Sequence, residues 1–232
     1  MLHYLLLAFS LFAAAAQAAA PQQMSLVYDL YRNGHKFGQV TDTFTRSGDR
    51  YTLTSETRAS GPLKALWPGS IRLESTGDVT RQGLRPMQFQ HARSDAPHKL
   101  ATARLDWKQR SIAYQYKGES WQENGLQNGA QDQLSQVYQF MFAPALPTDY
   151  SLQVVSGRDL NDYRYARTDG GAIETPLGLL VTQQYQRITQ QPDEKTITVW
   201  VAPARNNLPV QIRVSEEGVT LEQRLVRASV KD

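Results

Sequence analysis

Cysteine is absent from all 232 residues, and that lack excludes a great deal. There can be no disulfide framework, no thiol nucleophile, no cysteine metal site and no lipid-anchoring lipobox. Histidine is almost as scarce. Past residue 18 the chain holds only His35, His91 and His98. The Gly-x-Ser-x-Gly elbow and the His-Glu-x-x-His helix are both missing, and no glycine loop has phosphate-cradling spacing. Charge of one sign is lacking too. The formal net charge is +3 and the basic residues are scattered, which argues against nucleic acid as a partner. The remaining composition, 41% hydrophobic and 20% charged, is that of an ordinary soluble domain.

One long apolar run exists, at the N-terminus. Met1 to Ala18 reads as a secretory signal. Leu5 to Leu7 and Phe9 to Ala16 are apolar, and Ala16-Gln17-Ala18 supplies the small-x-small pattern that a signal peptidase needs. Cleavage after Ala18 would deliver a periplasmic protein to the envelope of a Gram-negative bacterium. A retained membrane anchor is the rival, because the n-region Met1-Leu2-His3-Tyr4 carries no Lys or Arg. Against it stands the lack of a basic flank after the run. The division is therefore signal peptide 1–18 and a single β-rich domain 19–232. Roughly 210 residues are enough to bury a core without covalent staples.

The dominant period along the chain is two, which means strands. Leu26 to Tyr31 leads into Asn33-Gly34, a hairpin signal because both residues tolerate positive φ. Phe37 to Thr45 returns, and Tyr51, Leu53, Ser55 and Thr57 share one face of the next strand. Further strands are expected at Ser70–Thr80, Met87–Arg93, Leu100–Trp107, Ser111–Tyr116, Tyr150–Ser156, Asp162–Thr168, Leu179–Ile188, Thr196–Ala202, Val210–Ser215 and Val219–Val230. Gly170-Gly171 reads as a turn. Asp132 to Phe142 breaks the pattern. Leu134, Val137, Tyr138 and Met141 form a helical stripe, with Asp132 placed to cap it and Pro144 to end it. No β-α-β alternation occurs, so the fold class is mostly β. The expected architecture is a single strongly curved antiparallel sheet, a half-barrel or open barrel, with one short helix across its concave side or its end. A two-sheet β-sandwich is the alternative.

Candidate chemistry is thin. His91, Asp95 and His98 lie close in sequence and could begin a zinc site, but Asp95-Ala-Pro is equally a plain turn. Glu119 and Glu123 flank Trp121, a pattern shared by sugar sites and solvated loops. Catalytic residues, a metal and a cofactor are all assigned as none. The segment Ser60 to Gly69 is more informative. Glycines and prolines bracket Leu63, Leu66 and Trp67. Such a loop either plugs the end of the core, rims a cavity or dips transiently into a membrane. Tyr114, Tyr116 and Tyr138 are the tyrosines expected to line a concave face with polar tips. Tyrosines are also ordinary strand residues.

Several motifs together resemble a known family. Tyr28-Asp-Leu-Tyr-Arg-Asn-Gly-His-Lys-Phe-Gly38, Gly83-Leu-Arg-Pro86, Gln131-Asp132-Gln-Leu-Ser135 and Trp200-Val-Ala-Pro followed by Asn207-Leu-Pro209 are similar to the bacterial exported domain-of-unknown-function family 3108. The resemblance implies secretion and an antiparallel β fold, with no established catalytic residues. A looser, fold-level likeness is to periplasmic lipoprotein carriers of the LolA and LolB type, which are open half-barrels with a helix-covered apolar cavity. The combined expectation is a non-catalytic protein that holds a lipid, acyl chain or other amphipathic envelope molecule in a concave sheet, with Leu63, Leu66, Trp67, Tyr114, Tyr116 and Tyr138 at the site. The other readings are an envelope interaction module and, third, a cell-wall hydrolase. N-terminal sequencing of the chain expressed from its full gene should begin at Ala19. Recovery of the intact chain in the membrane fraction would overturn the cleavage reading.

Overall fold

The computed structural model describes residues 21–61, 64, 68–144, 146–190 and 194–231. The leader through Ala18 and the apolar side chains of Leu63, Leu66 and Trp67 lie outside the described residues. The first half of the chain is a meander of β1 (Gln23–Arg32), β2 (His35–Ser47), β3 (Arg50–Ala59), β4 (Ser70–Thr80), β5 (Gly83–Arg93), β6 (Ala101–Asp106), β7 (Ser111–Tyr116) and β8 (Glu119–Asn124). A two-residue strand β9 (Gln131–Asp132) and helix α1 (Ser135–Phe142) follow. The second half is β10 (Asp149–Val155), β11 (Leu160–Thr175), β12 (Gly178–Arg187), β13 (Thr196–Ala202), β14 (Leu208–Glu216) and β15 (Val219–Lys231).

The fifteen strands of the described residues form one sheet, in the order β8-β7-β6-β5-β4-β3-β2-β1-β15-β14-β13-β12-β11-β10-β9. The first and last long strands pair at its centre, from Gln23↔Lys231 to Arg32↔Leu221. From there the two half-chains meander outward to opposite edges. Pairing is antiparallel except between β9 and β10. The two-sheet alternative is not what forms. Nor does the sheet close: its edges, β8 and β9, do not pair. It curls instead until β9 meets the start of β5, where Gln131 Nε2 donates to Leu84 O at 2.8 Å.

Local sequence explains most boundaries. Asn33 and Gly34 take φ of 48° and 82°, the mirror-image turn that suits strand twist. The Asn33 side chain also accepts from Thr220 N at 2.7 Å, tying the turn to β15. Two expectations need correction. Residues 119–124 are not a loop but edge strand β8, paired with β7 from Ser111↔Asn124 to Tyr116↔Glu119. With neither face buried, β8 has no alternation for a periodicity argument to detect. Gly170-Gly171 is not a turn either. The register slips between Asp169 and Gly171 inside β11. A Cβ on Gly170 would stand 2.4 Å from Thr182 Oγ1 and 2.9 Å from the Trp200 ring, so this bulge lets β11 lie close over its neighbours.

Helix α1 fills part of the concavity. Asp132 Oδ1 accepts from Leu134 N at 2.9 Å and Ser135 N at 2.7 Å, and Ser135 Oγ accepts from Asp132 N at 2.9 Å. This reciprocal cap starts the helix a little later than the hydrophobic stripe suggests. The stripe predicted one buried side. In fact every residue of α1 is buried except half-buried Val137, because the curled sheet surrounds it. Phe140 packs on Tyr185 with ring centroids 4.6 Å apart, and Phe142 on Phe44 at 4.9 Å.

Burying a helix on most sides means burying its polar side chains, and each finds a partner. Gln139 Oε1 accepts from Leu84 N at 2.7 Å and its Nε2 donates to Gln82 O at 2.9 Å. Those backbone groups lie on the edge of β5 that faces away from β4, where β6 pairs only with Gln88–His91. The glutamine amides of α1 and β9 thus replace the missing ladder. Gly83 makes this possible. It sits at φ 108°, and a Cβ there would fall 2.5 Å from the Gln139 amide. Gly83→Ala should lower unfolding stability by about 2–4 kcal/mol in urea titration, from backbone strain and a lost buried hydrogen bond. A change within about 0.5 kcal/mol, the range of ordinary surface substitutions, would contradict this role.

Candidate functional site

A cleft of about 530 Å³ remains in the concavity beside α1. Its size suits a small-molecule site. One side is a single cross-strand row on β5 to β2. His91 pairs with Leu73, Leu73 with Ser55 and Ser55 with Asp42, all lining the cleft. Facing residues come from β13 to β15: Ile197 opposite Val214 and Ile212 opposite Gln223. Val137 and Tyr138 of α1 complete the floor. The β10–β11 turn contributes Arg158 and Asp159, and Arg187 and Lys195 border the cleft from either side of the β12–β13 connection.

The cleft differs from the other concave places in one respect. Asp42 Oδ1, His91 Nε2, Arg187 Nε and Gln223 Oε1 are buried yet lack a hydrogen-bond partner within the protein. All four belong to residues that line this cleft, whereas Tyr114 Oη, Gln131 Oε1 and Tyr185 Oη, also unpartnered, lie elsewhere. Buried polar atoms without partners are uncommon and call for an explanation such as a ligand or water. A groove of about 520 Å³ at Gln153, Tyr163 and Arg187 shares only Arg187 from that set.

Electrostatics inside are strongly perturbed. Burial pushes the Asp42 carboxyl up to about 6, against the pull of the neighbouring Ser55 hydroxyl and Tyr138 phenol. Tyr138 Oη donates a short hydrogen bond to Asp42 Oδ2. Tyr28 lies behind them and donates to Pro209 O at 2.9 Å. Burial and then the Asp42 charge hold the Tyr138 phenol well above its ordinary range. Asp132, whose Oδ2 accepts from Ser75, is likewise pushed to about 6 by burial. His91 moves the other way. Burial lowers its pKa first, and the charges of Arg93, Arg158 and Lys195 add to the effect. At neutral pH His91 is an uncharged imidazole, able to donate or accept.

The tyrosines expected at a site separate in the structure. Tyr138 lines the cleft. Tyr114 is in the core, its ring stacked 5.3 Å from that of edge residue Trp121. Tyr116 lies under the Arg158 guanidinium, 5.2 Å away, just outside the cleft lining. His91, Asp95 and His98 do not converge. His91 faces the cleft, Asp95 accepts from Arg93 at 3.2 and 2.9 Å, and His98 is exposed in a short 3₁₀ turn. Among the described residues no three His, Asp or Glu side chains gather as a metal site.

Asp42 went unnoticed in the sequence, although a signal was there. It stands in phase with Val40 and Phe44 on the buried face of β2. A charge in an apolar phase is a candidate functional residue. Arg158, Lys195 and Gln223 left no local signal, because only the curl of the sheet assembles them.

Over residues 27–222 the chain matches the family described as "Protein of unknown function (DUF3108)". The chain belongs to the DUF3108 family. No curated protein matches it. Among solved structures it is similar to a beta-barrel-like protein of the DUF1849 family from Brucella abortus. The identity is 12% and the TM-score 0.63, over 93% of this chain and 100% of that one. That likeness is one of fold, and it agrees with a DUF3108 sheet curled toward a barrel. A DUF1329 family protein from Desulfovibrio piger aligns at 10% identity, over 90% of this chain and 86% of that one. Its TM-score of 0.21 is too low to bear on the fold.

Asp42 offers a direct pH test. The folded carboxyl keeps its proton to about pH 6, whereas an unfolded one loses it near 3.9. Its stabilising contribution is therefore full below that value and is lost as pH rises through about 6. In urea unfolding, Asp42→Asn should gain on the wild type by about 2 kcal/mol between pH 4 and 7. A difference that stays flat with pH would show that Asp42 is not desolvated in the folded protein.

Proposed function

We propose that this DUF3108 protein is a non-catalytic binding protein of the periplasm that holds an amphipathic envelope molecule in the cleft beside α1. The observation that carries the reading is the composition of that cleft. Leu73, Val137, Val154, Ile197, Ile212 and Val214 offer apolar surface, and the unpartnered polar atoms of Asp42, His91 and Gln223 stand among them. An apolar wall with a few placed polar groups is the usual form of a ligand site. The apolar part gives affinity by burial, and the unsatisfied atoms give orientation because each gains a hydrogen bond. The periplasmic address rests on the N-terminal signal. The scarcity of nucleophile-and-base motifs in the sequence favours holding over turnover.

An interaction module is the second reading. β12 pairs with β13 only over Gln183–Gln186, so the β11–β12 hairpin extends beyond it. Leu179 and Val181 on that extension are 66% and 72% exposed. Such a patch suits a partner protein or a lipid surface. The two readings separate on a substitution inside the concavity. Protein purified from its own periplasm should carry a copurifying amphipathic molecule by native mass spectrometry. Val137→Trp should abolish that adduct while keeping the near-ultraviolet circular dichroism of a folded chain. Wild-type protein without any adduct, or an adduct that survives Val137→Trp, would contradict binding in the cleft.

A further inference from the structure

We infer that the cleft selects amphiphiles with an anionic head group, a carboxylate or phosphate that sits between Arg158, Lys195 and His91. The inference rests on the cleft-binding reading above and adds the chemistry of the ligand's polar end.

The charges at the cleft divide into those already engaged and those left over. Arg187 is engaged. Its guanidinium donates to Lys195 O, lies 3.5 Å from Glu194 Oε2 and stacks 4.0 Å from the Tyr163 ring centroid. Asp159 is exposed and keeps its charge, but neutral donors hold its carboxylate in the turn. It accepts from Ser156 Oγ at 2.6 Å and Asn161 Nδ2 at 2.7 Å, which shapes the β10–β11 turn. Asp42 is held by Tyr138 in the interior. Glu216 is exposed at the end of β14 and acts on Tyr163. Arg158 and Lys195 remain. Neither enters an ion pair among the described residues, and Arg158 only covers the Tyr116 ring.

These two cations line the same cleft as His91 and act on it. The charges that act on its imidazole are those of Arg93, Arg158 and Lys195, all positive. Arg93 is neutralised by Asp95, 2.9 Å away. What is left is a neutral imidazole with a buried, unpartnered Nε2, in a cleft that also carries two cations without an ion-pair partner among the described residues. An anion there would receive charge-assisted hydrogen bonds from Arg158 and Lys195, and one from His91 in its Nε2-protonated form. A cationic head would be repelled by Arg158 and Lys195, and a neutral one would leave both without a charged partner. Next to His91 in the cross-strand row is Leu73, and Val137, Ile197 and Val214 line the same cleft. An alkyl chain leaving the head group therefore has apolar surface to follow. A free inorganic anion would use the cations and leave that surface wet.

Isothermal titration of the mature chain with decyl phosphate, decanoate, decyltrimethylammonium, decyl maltoside, acetate and inorganic phosphate tests this. Decyl phosphate and decanoate should bind at least tenfold more tightly than the cationic and neutral decyl compounds, with acetate and phosphate not detected. Arg158→Gln combined with Lys195→Gln should weaken decyl phosphate at least tenfold and leave decyl maltoside unchanged. Neither side chain enters an ion pair among the described residues, so a folded variant is expected. Equal affinity for all four decyl compounds would overturn the head-group inference and leave cleft binding intact. Phosphate binding as tightly as decyl phosphate would overturn the amphiphile in favour of a free oxyanion. No binding of any decyl compound would overturn the cleft reading, and the inference with it.

Discussion

A helix surrounded by a sheet must have every buried polar group answered by that sheet, and the rest of the structure follows from this constraint. Helix α1 carries Ser135, Gln136, Tyr138 and Gln139 into the interior. Ser135 joins the cap with Asp132, which Ser75 of β4 supports. Gln136 Oε1 accepts from Tyr165 of β11 at 2.9 Å, Tyr138 reaches Asp42 of β2, and Gln139 completes the bare start of β5. The bonds run to strands in both halves of the sheet. They hold the curl that hydrogen bonding between the edge strands does not.

The same constraint explains why the concavity is divided. Aromatic packing of Phe140 and Phe142 fills one part. In the other, α1 presents Val137, its one half-buried residue, and the polar side of Tyr138. Leaving a desolvated carboxylate at Asp42 and an unpartnered imidazole nitrogen at His91 is costly in a folded protein. Asp42 answers Tyr138 through Oδ2, but its Oδ1 and His91 Nε2 have no partner within the protein. A ligand that supplies hydrogen-bond partners offsets that cost and returns it as affinity. The cleft is thus more polar than a simple acyl-chain tunnel, which is why the proposed ligand is an amphiphile and not a hydrocarbon.

Much of the fold was legible in the chain because its signals are local. Asn33-Gly34 marks its turn through backbone conformation, the Tyr51-Leu53-Ser55 alternation marks a strand with one buried face, and Asp132 marks a helix start through its side-chain oxygen. Strand β8 was not legible, since an edge strand wet on both sides carries no period. Gly170-Gly171 misled because glycines serve bulges and turns alike, and only the approach of Thr182 and Trp200 decides between them. The site was mostly illegible. Tyr138 could be named from the helical stripe, but its neighbours His91, Arg158, Lys195 and Gln223 come from distant strands and turns that only the curl of the sheet gathers. Tyr114 shows the opposite failure: a strand tyrosine on the inward face becomes core when another ring, here Trp121, covers it.

The most direct measurement is methyl-resolved nuclear magnetic resonance of the mature chain during titration with decyl phosphate. Shifts should concentrate on the methyl groups of Leu73, Val137, Ile197, Ile212 and Val214, which line the cleft. Leu179 and Val181 on the projecting hairpin should stay unmoved. Shifts confined to the hairpin, with the cleft methyl groups silent, would contradict the account.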